Sequence, residues 1–363
     1  MRNQIGVFVI PKFRLDSASG GAENICRLVV IGLSRKYDII VFHGESDINE
    51  NLGIIKKHTE HITSINAFHL SENIRQRGEI APAFCDVAYN MITKCDLLLS
   101  FERVVSNVDV NQVCVLGGIS YQHCLDIAKS IIWNKMIVPS DFIRKKCLEL
   151  SRRENDIKVI SNGIITDVFY SISSERTYTA LLPYRPDWGK GYLESIDFIS
   201  LVNQLKEFGN YHILATKQRD NDFANISFYE DLDRYAGEKN VDLRYVDWQN
   251  EENINALYNK CDFVLALGRL EEGFGLTTIE AISAGRYVIS RRIGATATLL
   301  PPNSGIIFTE SVLDKSAVRK IMTDYLNGRK NGEVNRGITY IQTHYNLELM
   351  QSSYNEFISA FIN

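Results

Sequence analysis

Short apolar runs recur along the chain, each a few residues long and each followed by a stretch with helical periodicity. In the first half they fall at residues 5–10, 38–42, 96–101, 112–116, 136–138 and 158–160. The second half restarts the pattern at 178–182, 211–216, 243–246, 263–267, 287–290 and 306–308. Runs this short and this apolar, with helices between them, predict parallel sheets covered by helices on both faces. A polar segment without periodicity, 171–176, separates the two series. The pattern therefore predicts two Rossmann-like doubly wound domains, 1–172 and 173–345, with ligands in a cleft at the carboxyl ends of the strands. A single large α/β domain or two unrelated binding modules are the alternatives. A last helix is expected at about 346–363. Its apolar face (Leu347, Met350, Tyr354, Phe357, Ile358 and Phe361) is suited to crossing back onto the first domain.

Composition narrows the function classes. With 363 residues, 45% of them hydrophobic, the chain can bury two medium cores, and a net charge of -4 gives no global reason to bind nucleic acid. The first residues lack the long apolar region and cleavage site of a secretion signal, and no stretch approaches the roughly 20 apolar residues that span a bilayer. Seven cysteines are scattered at 26, 85, 95, 114, 124, 147 and 261, without a C-x-x-C pair. That count and spacing imply free thiols in a reducing compartment, and they argue against a zinc site. The expected location is the cytoplasm.

The most informative segment is Glu271-Glu272-Gly273-Phe274-Gly275-Leu276-Thr277-Thr278-Ile279-Glu280-Ala281. It follows an apolar run and opens a helix that Gly285 stops, with Leu276, Ile279, Ile282 and Ser283 as its inner stripe. Gly273 and Gly275 remove side chains where turn meets helix, exposing backbone N–H groups at the positive end of a helix dipole. Glu272 precedes this phosphate-suited turn and Glu280 lies about two helical turns inside it. Carboxylates accept hydrogen bonds from sugar hydroxyls. Acid–loop–acid spacing around an anion site therefore suits a nucleotide sugar, with hydroxyls on both sides of a diphosphate. An ordinary turn with acidic residues at a helix start would look similar.

The segment resembles the Glu-x7-Glu signature of retaining glycosyltransferase family 4, E-G-F-G-L-x-x-x-E-A followed by A-x-G-x-P-V-V. Here Ala284-Gly285-Arg286-Tyr287-Val288-Ile289 follows, with Tyr287 in place of the proline. The resemblance implies a GT-B fold, in which Glu272 contacts the donor sugar and Glu280 holds the ribose hydroxyls. Phe274, Gly275 and Leu276 would offer backbone amides. Further signatures occur in family order. Ser19-Gly20-Gly21-Ala22-Glu23 matches a G-G-A-E loop, whose Gly20 and Gly21 would let the backbone approach a diphosphate. Tyr184-Arg185-Pro186-Asp187-Trp188-Gly189-Lys190-Gly191 resembles G-R-x-x-x-x-K-G, so Arg185 and Lys190 would face the leaving diphosphate. Pro139-Ser140 and Ile160-Ser161-Asn162-Gly163, with Asp167 and Phe169 beyond, are similar to further landmarks. One departure is Gly294-Ala295-Thr296-Ala297-Thr298, which lacks the glutamate of the family's G-G-x-P-E.

The resemblance implies front-face substitution, with no metal and no cofactor, the nucleotide sugar being a substrate. Asp220-Asn221-Asp222 and Asp231-Leu232-Asp233 fit an Asp-x-Asp metal pattern only formally, lying far from the phosphate loops in sequence. The helper from the first domain is open. Residues 100–109 are similar to a loop of lipopolysaccharide-core glucosyltransferases in which an aspartate faces the sugar, which makes Asp109 the first candidate and His123 the second. A surface or structural role for either is the alternative. The expected activity is transfer of a hexosyl group from a UDP- or GDP-sugar to a sugar, lipid-linked or protein hydroxyl in bacterial-type glycan synthesis. A GT-B epimerase or hydrolase, or a non-catalytic nucleotide-sugar-binding protein, are the competing readings. Arg144, Lys145, Lys146, Arg152 and Arg153 form a basic stretch. It suggests weak peripheral contact with anionic lipid at the inner face of the membrane, against the plainer reading of a solvated helix face.

Overall fold

Nearly every apolar run becomes a strand with little polar surface: Leu97–Phe101 is buried along its whole length, and in Gln4–Val9 every residue but Gln4 is buried. The computed structural model describes residues 2–10, 13–16, 20–45, 52–151, 153–172, 175–217, 223–249, 253–309 and 314–362. The chain divides into two compact units, Met1–Gly163 with Leu347–Asn363, and Ile164–Asn346.

In the first unit the sheet runs Ile157–Val159, Lys135–Val138, Gln112–Val115, Leu97–Phe101, Gln4–Val9, Asp38–Glu45, Ile62–His69, Ile55–Lys57. All neighbours are parallel except the last pair. The chain starts in the middle, moves outward through Asp38–Glu45 and Ile62–His69, then returns to the other side of the first strand. The reversal lies between Gln4–Val9 and Leu97–Phe101, where Val7 pairs with Leu99.

The second unit repeats this plan without any repeat visible in the sequence. Its parallel sheet runs Leu243–Asp247, His212–Lys217, Thr179–Leu182, Phe263–Ala266, Tyr287–Arg291, Ile306–Thr309. The order reverses between Thr179–Leu182 and Phe263–Ala266. In open α/β sheets this switch point is where loops part and leave a crevice at the carboxyl ends of the strands.

Three expectations are corrected. The units divide after Gly163, not between 172 and 173. Ile164 bridges to Asn346, while Tyr170 N and Ile172 N donate to Asn255 Oδ1 (3.1 Å) and Asn259 Oδ1 (2.8 Å), tying this segment to the second unit. The strand Ile62–His69 was not anticipated, because Ser64 and Asn66 interrupt its apolar run although both are buried. The last helix, Leu347–Ile362, does join the first unit, but its buried positions are Met350, Gln351, Tyr354 and Ile358. Phe357 and Phe361 stack on each other at its partly exposed edge.

That helix docks on Gly21–Ser34 through a polar contact inside an apolar one. Gln351 Nε2 donates to Leu28 O at 2.8 Å, and a Cβ on Gly32 would fall 2.5 Å from Gln351 Cγ. Gly32→Ala must therefore push the last helix outward. We expect it to cost about 1–3 kcal/mol, the usual range for overpacking, read as a lower urea midpoint; an unchanged midpoint would show that the helix contributes nothing to the unit's stability.

Candidate active site

The second unit's switch point is built from two loops. After Thr179–Leu182 the chain turns through Tyr184, which is buried, and Asp187, whose Oδ1 accepts from Gly189 N at 2.8 Å. The short 3-10 turn Trp188–Lys190 follows, and Gly191, at φ +86°, begins the helix Tyr192–Leu205. After Phe263–Ala266 the second loop passes Gly268 and reaches Gly275, whose φ of +99° starts the helix Leu276–Ser283.

These loops meet backbone to backbone. Arg269 N and Leu270 N donate to Gly189 O at 2.9 and 3.4 Å. A Cβ on Gly191 would lie 2.3 Å from Gly268 N, and one on Gly268 would lie 2.6 Å from Gly189 O. Glycine is required on both sides of the contact. It carries Lys190 up to Glu272, where Nζ and Oε1 are 2.6 Å apart and both side chains stay partly exposed. The backbone of Glu272 is fixed from a third loop, since Ala295 N donates to its carbonyl at 2.9 Å. Gly294, at φ +61°, lies so close to Glu272 that a side chain there would collide. The sequence therefore departs from the family pattern at a place that supports Glu272 through its backbone.

Glu280 has a partner that the sequence reading missed. Tyr258, otherwise buried, donates its hydroxyl to Glu280 Oε2 at 2.8 Å. Burial, reinforced by the carboxylate, pushes the Tyr258 phenol well above its usual range, so it stays a donor. A small hollow lined by Tyr184, Lys190, Glu272, Gly275, Thr278 and Thr296 lies between the loops. Gly273 is buried, Leu276 is half-buried, and the ring of Phe274 packs into the core against Tyr345, leaving only its backbone for a ligand. Arg185 is exposed, is not among the residues lining that hollow, and makes no side-chain hydrogen bond or ion pair among the described residues. Asp231 pairs with Arg234 and Asp233 accepts from Tyr245 (2.7 Å), so these two carboxylates do not converge. Asp220-Asn221-Asp222 lies outside the described residues.

In the first unit Gly20 caps the helix Gly21–Ser34 with extended backbone, and Ser19 lies outside the described residues. Across the switch point, the strand Leu97–Phe101 runs into Glu102, whose φ is +55°. Gly117 N donates to its Oε1 at 2.6 Å. His123 Nε2 lies 4.0 Å from Oε2, and the His123 ring stacks on Tyr121. Burial raises the Glu102 pKa, against the pull of Gly117 N–H and Arg103. Burial and the Arg103 charge lower that of His123 to about 4, so this imidazole is neutral at neutral pH. Of the two helper candidates, the structure brings His123 to the switch point beside Glu102. Asp109 is exposed, with no side-chain hydrogen bond or ion pair among the described residues.

The basic stretch is partly consumed by packing. Arg153 stacks on Trp133, donates to its carbonyl and pairs with Asp156, while Arg144 reaches Glu154 and Ile157 O. Lys146 lies over the Phe142 ring, Lys145 is exposed, and Arg152 lies outside the described residues.

Residues 230–335 match the family model of glycosyl transferases group 1. Over its whole length the chain is similar to solved structures. Sucrose-phosphate synthase of Thermosynechococcus elongatus superposes with a TM-score of 0.78 at 15% identity, covering 99% of both chains. A complex of Anabaena HepE with UDP-glucose gives 0.74 at 14%, covering 98% of this chain and 99% of that one. The fold is GT-B, and the segment that matches the group 1 model lies in the second unit. A glycosyltransferase from Rickettsia africae shares the fold, with a TM-score of 0.71 at 17% identity over 99% and 98% of the two chains. No curated protein matches the chain in sequence. The group 1 segment includes Tyr258, Gly268, Glu272, Gly275 and Glu280, and begins after the Arg185–Lys190 loop of the same GT-B unit. Among the described residues no helix is long and apolar enough to cross a membrane.

Gly191→Ala combines a left-handed backbone with a collision against backbone atoms, and we expect it to lower stability by about 1–3 kcal/mol. Gly237, on a helix with open space around its Cα, is the control: Gly237→Ala should stabilise by about 0.5–1 kcal/mol. Equal thermal midpoints for the two variants would remove the claim that the loop contact demands glycine.

Proposed function

We propose that the protein is a retaining, metal-independent glycosyltransferase that moves a hexosyl group from a UDP- or GDP-sugar to a hydroxyl acceptor in bacterial-type glycan or glycoconjugate synthesis. The observation that carries this reading is the meeting of Lys190, Glu272 and the Gly275 helix start around one hollow, with Glu280 farther along the helix that Gly275 starts. Glu280, oriented by Tyr258, accepts hydrogen bonds from the ribose hydroxyls. The helix-start amides and Lys190 take the diphosphate, joined by Arg185 once a ligand is present. Glu272 accepts from a hydroxyl of the donor sugar. The Lys190–Glu272 pair is partly exposed and worth at most about 1 kcal/mol, so a diphosphate and a sugar readily draw its two ends apart. UDP is the first base to test, since relatives of this fold are described as bound to UDP, UDP-glucose and UDP-2-fluoro glucose.

In the reaction, the bond from the anomeric carbon to the β-phosphate oxygen breaks as the acceptor oxygen bonds to the same face of that carbon. The acceptor proton passes to the departing phosphate oxygen. Cationic side chain and amides offset the charge that develops there, which is the work a metal does elsewhere. A place in the cytoplasm, with weak contact at an anionic membrane face through the basic stretch around the exposed Lys145, belongs to the same reading. Equal co-sedimentation with neutral and anionic vesicles at low salt would remove the membrane part.

Calorimetry with UDP-, GDP- and dTDP-sugars tests the donor. Glu280→Ala should weaken nucleotide binding at least about tenfold, because a hydrogen bond to a charged group is worth about 1.5–3 kcal/mol; unchanged affinity in the folded variant overturns the ribose assignment. Transfer should also persist in EDTA. Complete loss on chelation, restored by manganese or magnesium, would replace this mechanism with a metal-dependent one.

A further inference from the structure

Glu102, His123 and Cys124 come from two elements and turn three different donor atoms toward one point at the first unit's switch point. Glu102 ends the strand Leu97–Phe101, and the other two lie in the first turn of the helix Gln122–Lys129. His123 Nε2 is 4.0 Å and Cys124 Sγ 3.9 Å from Glu102 Oε2, and the three ligand atoms all lie within 4.8 Å of one another. The imidazole is too far from the carboxylate for a hydrogen bond, and the thiol makes only a long S–H···O contact. Three possible ligand atoms of different chemistry are thus gathered in one small cluster, somewhat wider than a metal would hold them.

We propose that Glu102, His123 and Cys124 form a binding site for a zinc-class divalent transition metal. The donor set is a carboxylate oxygen, an imidazole nitrogen and a sulfur, which together favour zinc or cobalt over magnesium or calcium. Bond lengths of about 2.0–2.3 Å put neighbouring ligand atoms of a tetrahedral site roughly 3.3–3.6 Å apart. Closing gaps that now measure 3.9 Å, 4.0 Å and at most 4.8 Å takes side-chain movements of roughly 0.3–1.2 Å.

The surroundings hold the donors in place as second-shell groups do at metal sites. Gly117 N–H takes Oε1 of Glu102 at 2.6 Å and leaves Oε2 to face the other two ligands. Stacking on Tyr121 sets the His123 ring. Cys124 is buried, and its thiol makes its long contact with Glu102 Oε2. Binding replaces the S–H bond by a metal–sulfur bond and releases one proton to solvent. Glu102 and His123 are each about a quarter exposed, which leaves the fourth position open to water or another ligand. The nearby Arg103 guanidinium, fixed on the carbonyls of Ile74, Arg75 and Glu102, opposes the cation and sets the affinity below that of a closed four-ligand site. None of the three ligands belongs to the diphosphate-binding loops, so the site is separate from the donor contacts proposed above, although a bound metal would occupy the His123 nitrogen that a helper role needs.

Titration of the full chain with Co2+ tests this, because cobalt bound to a thiolate gives a sulfur-to-metal charge-transfer band. One equivalent should produce that band with tetrahedral visible absorption, and Zn2+ should displace it. Cys124→Ser should abolish the charge-transfer band. His123→Ala should weaken binding at least about tenfold, and it decides the matter if the serine variant does not fold. Cys85→Ser, at the one cysteine that is not buried, should leave the band intact. No band in the wild-type chain, or a band that survives both Cys124→Ser and His123→Ala, overturns the site.

Discussion

The carbonyl of Gly189 accepts hydrogen bonds from the amides of both Arg269 and Leu270, and this contact ties together the two loops of the second unit's switch point. Lys190 is the next residue on one side, and Glu272 lies two residues beyond Leu270 on the other. Their approach is therefore set by backbone geometry, not by the weak ion pair between them. A side chain on Gly191 or Gly268 would separate the loops, and no rotamer change could relieve the collision, because the atoms met are themselves backbone. Position is thus rigid while the charged ends remain adjustable. An anion site needs that combination: the amides must be in place beforehand, and the counter-ions must be able to move.

The acid–loop–acid segment was legible because its chemistry is contiguous: Glu272, Gly273, Gly275 and Glu280 lie within nine residues of one another. Tyr258 was not legible, since a tyrosine in an apolar stretch looks like any core aromatic until its hydroxyl is seen on Glu280. Gly268 was equally silent, because its reason for being glycine lies in Gly189, far away in sequence. Most strands could be read from apolar runs, but Ile62–His69 could not, as it buries Ser64 and Asn66. The unit boundary slipped for a similar reason. Residues 164–172 have no periodicity, and what assigns them to the second unit is a pair of asparagines, Asn255 and Asn259, which accept from their backbone amides. The basic stretch misled in the opposite direction: a guanidinium that looks solvated on a helical wheel can stack on a buried indole, as Arg153 does on Trp133.

The two switch points share a topology and differ in electrostatics, and the difference is built into their backbones. In the second unit's switch-point loops the left-handed positions, Gly191 and Gly275, are glycines, which take that conformation at little cost and leave amides open. In the first unit the corresponding strand end carries Glu102 at φ +55°, a conformation that costs a residue with a side chain about 1–3 kcal/mol. Hydrogen bonds at both ends of the residue hold it there. Arg103 reaches the Glu102 carbonyl on one side, and Gly117 N–H takes the carboxyl on the other. Gly117 itself could carry no Cβ without meeting Glu102 Oε1 at 2.7 Å. The outcome is a guanidinium spent on carbonyls, an uncharged imidazole, and a carboxyl oxygen turned toward the helix start. Such a surface presents lone pairs and no spare positive charge. An anion therefore has reason to settle on the second unit's loops, while the first unit's switch point suits a hydrogen-bond donor or a cation.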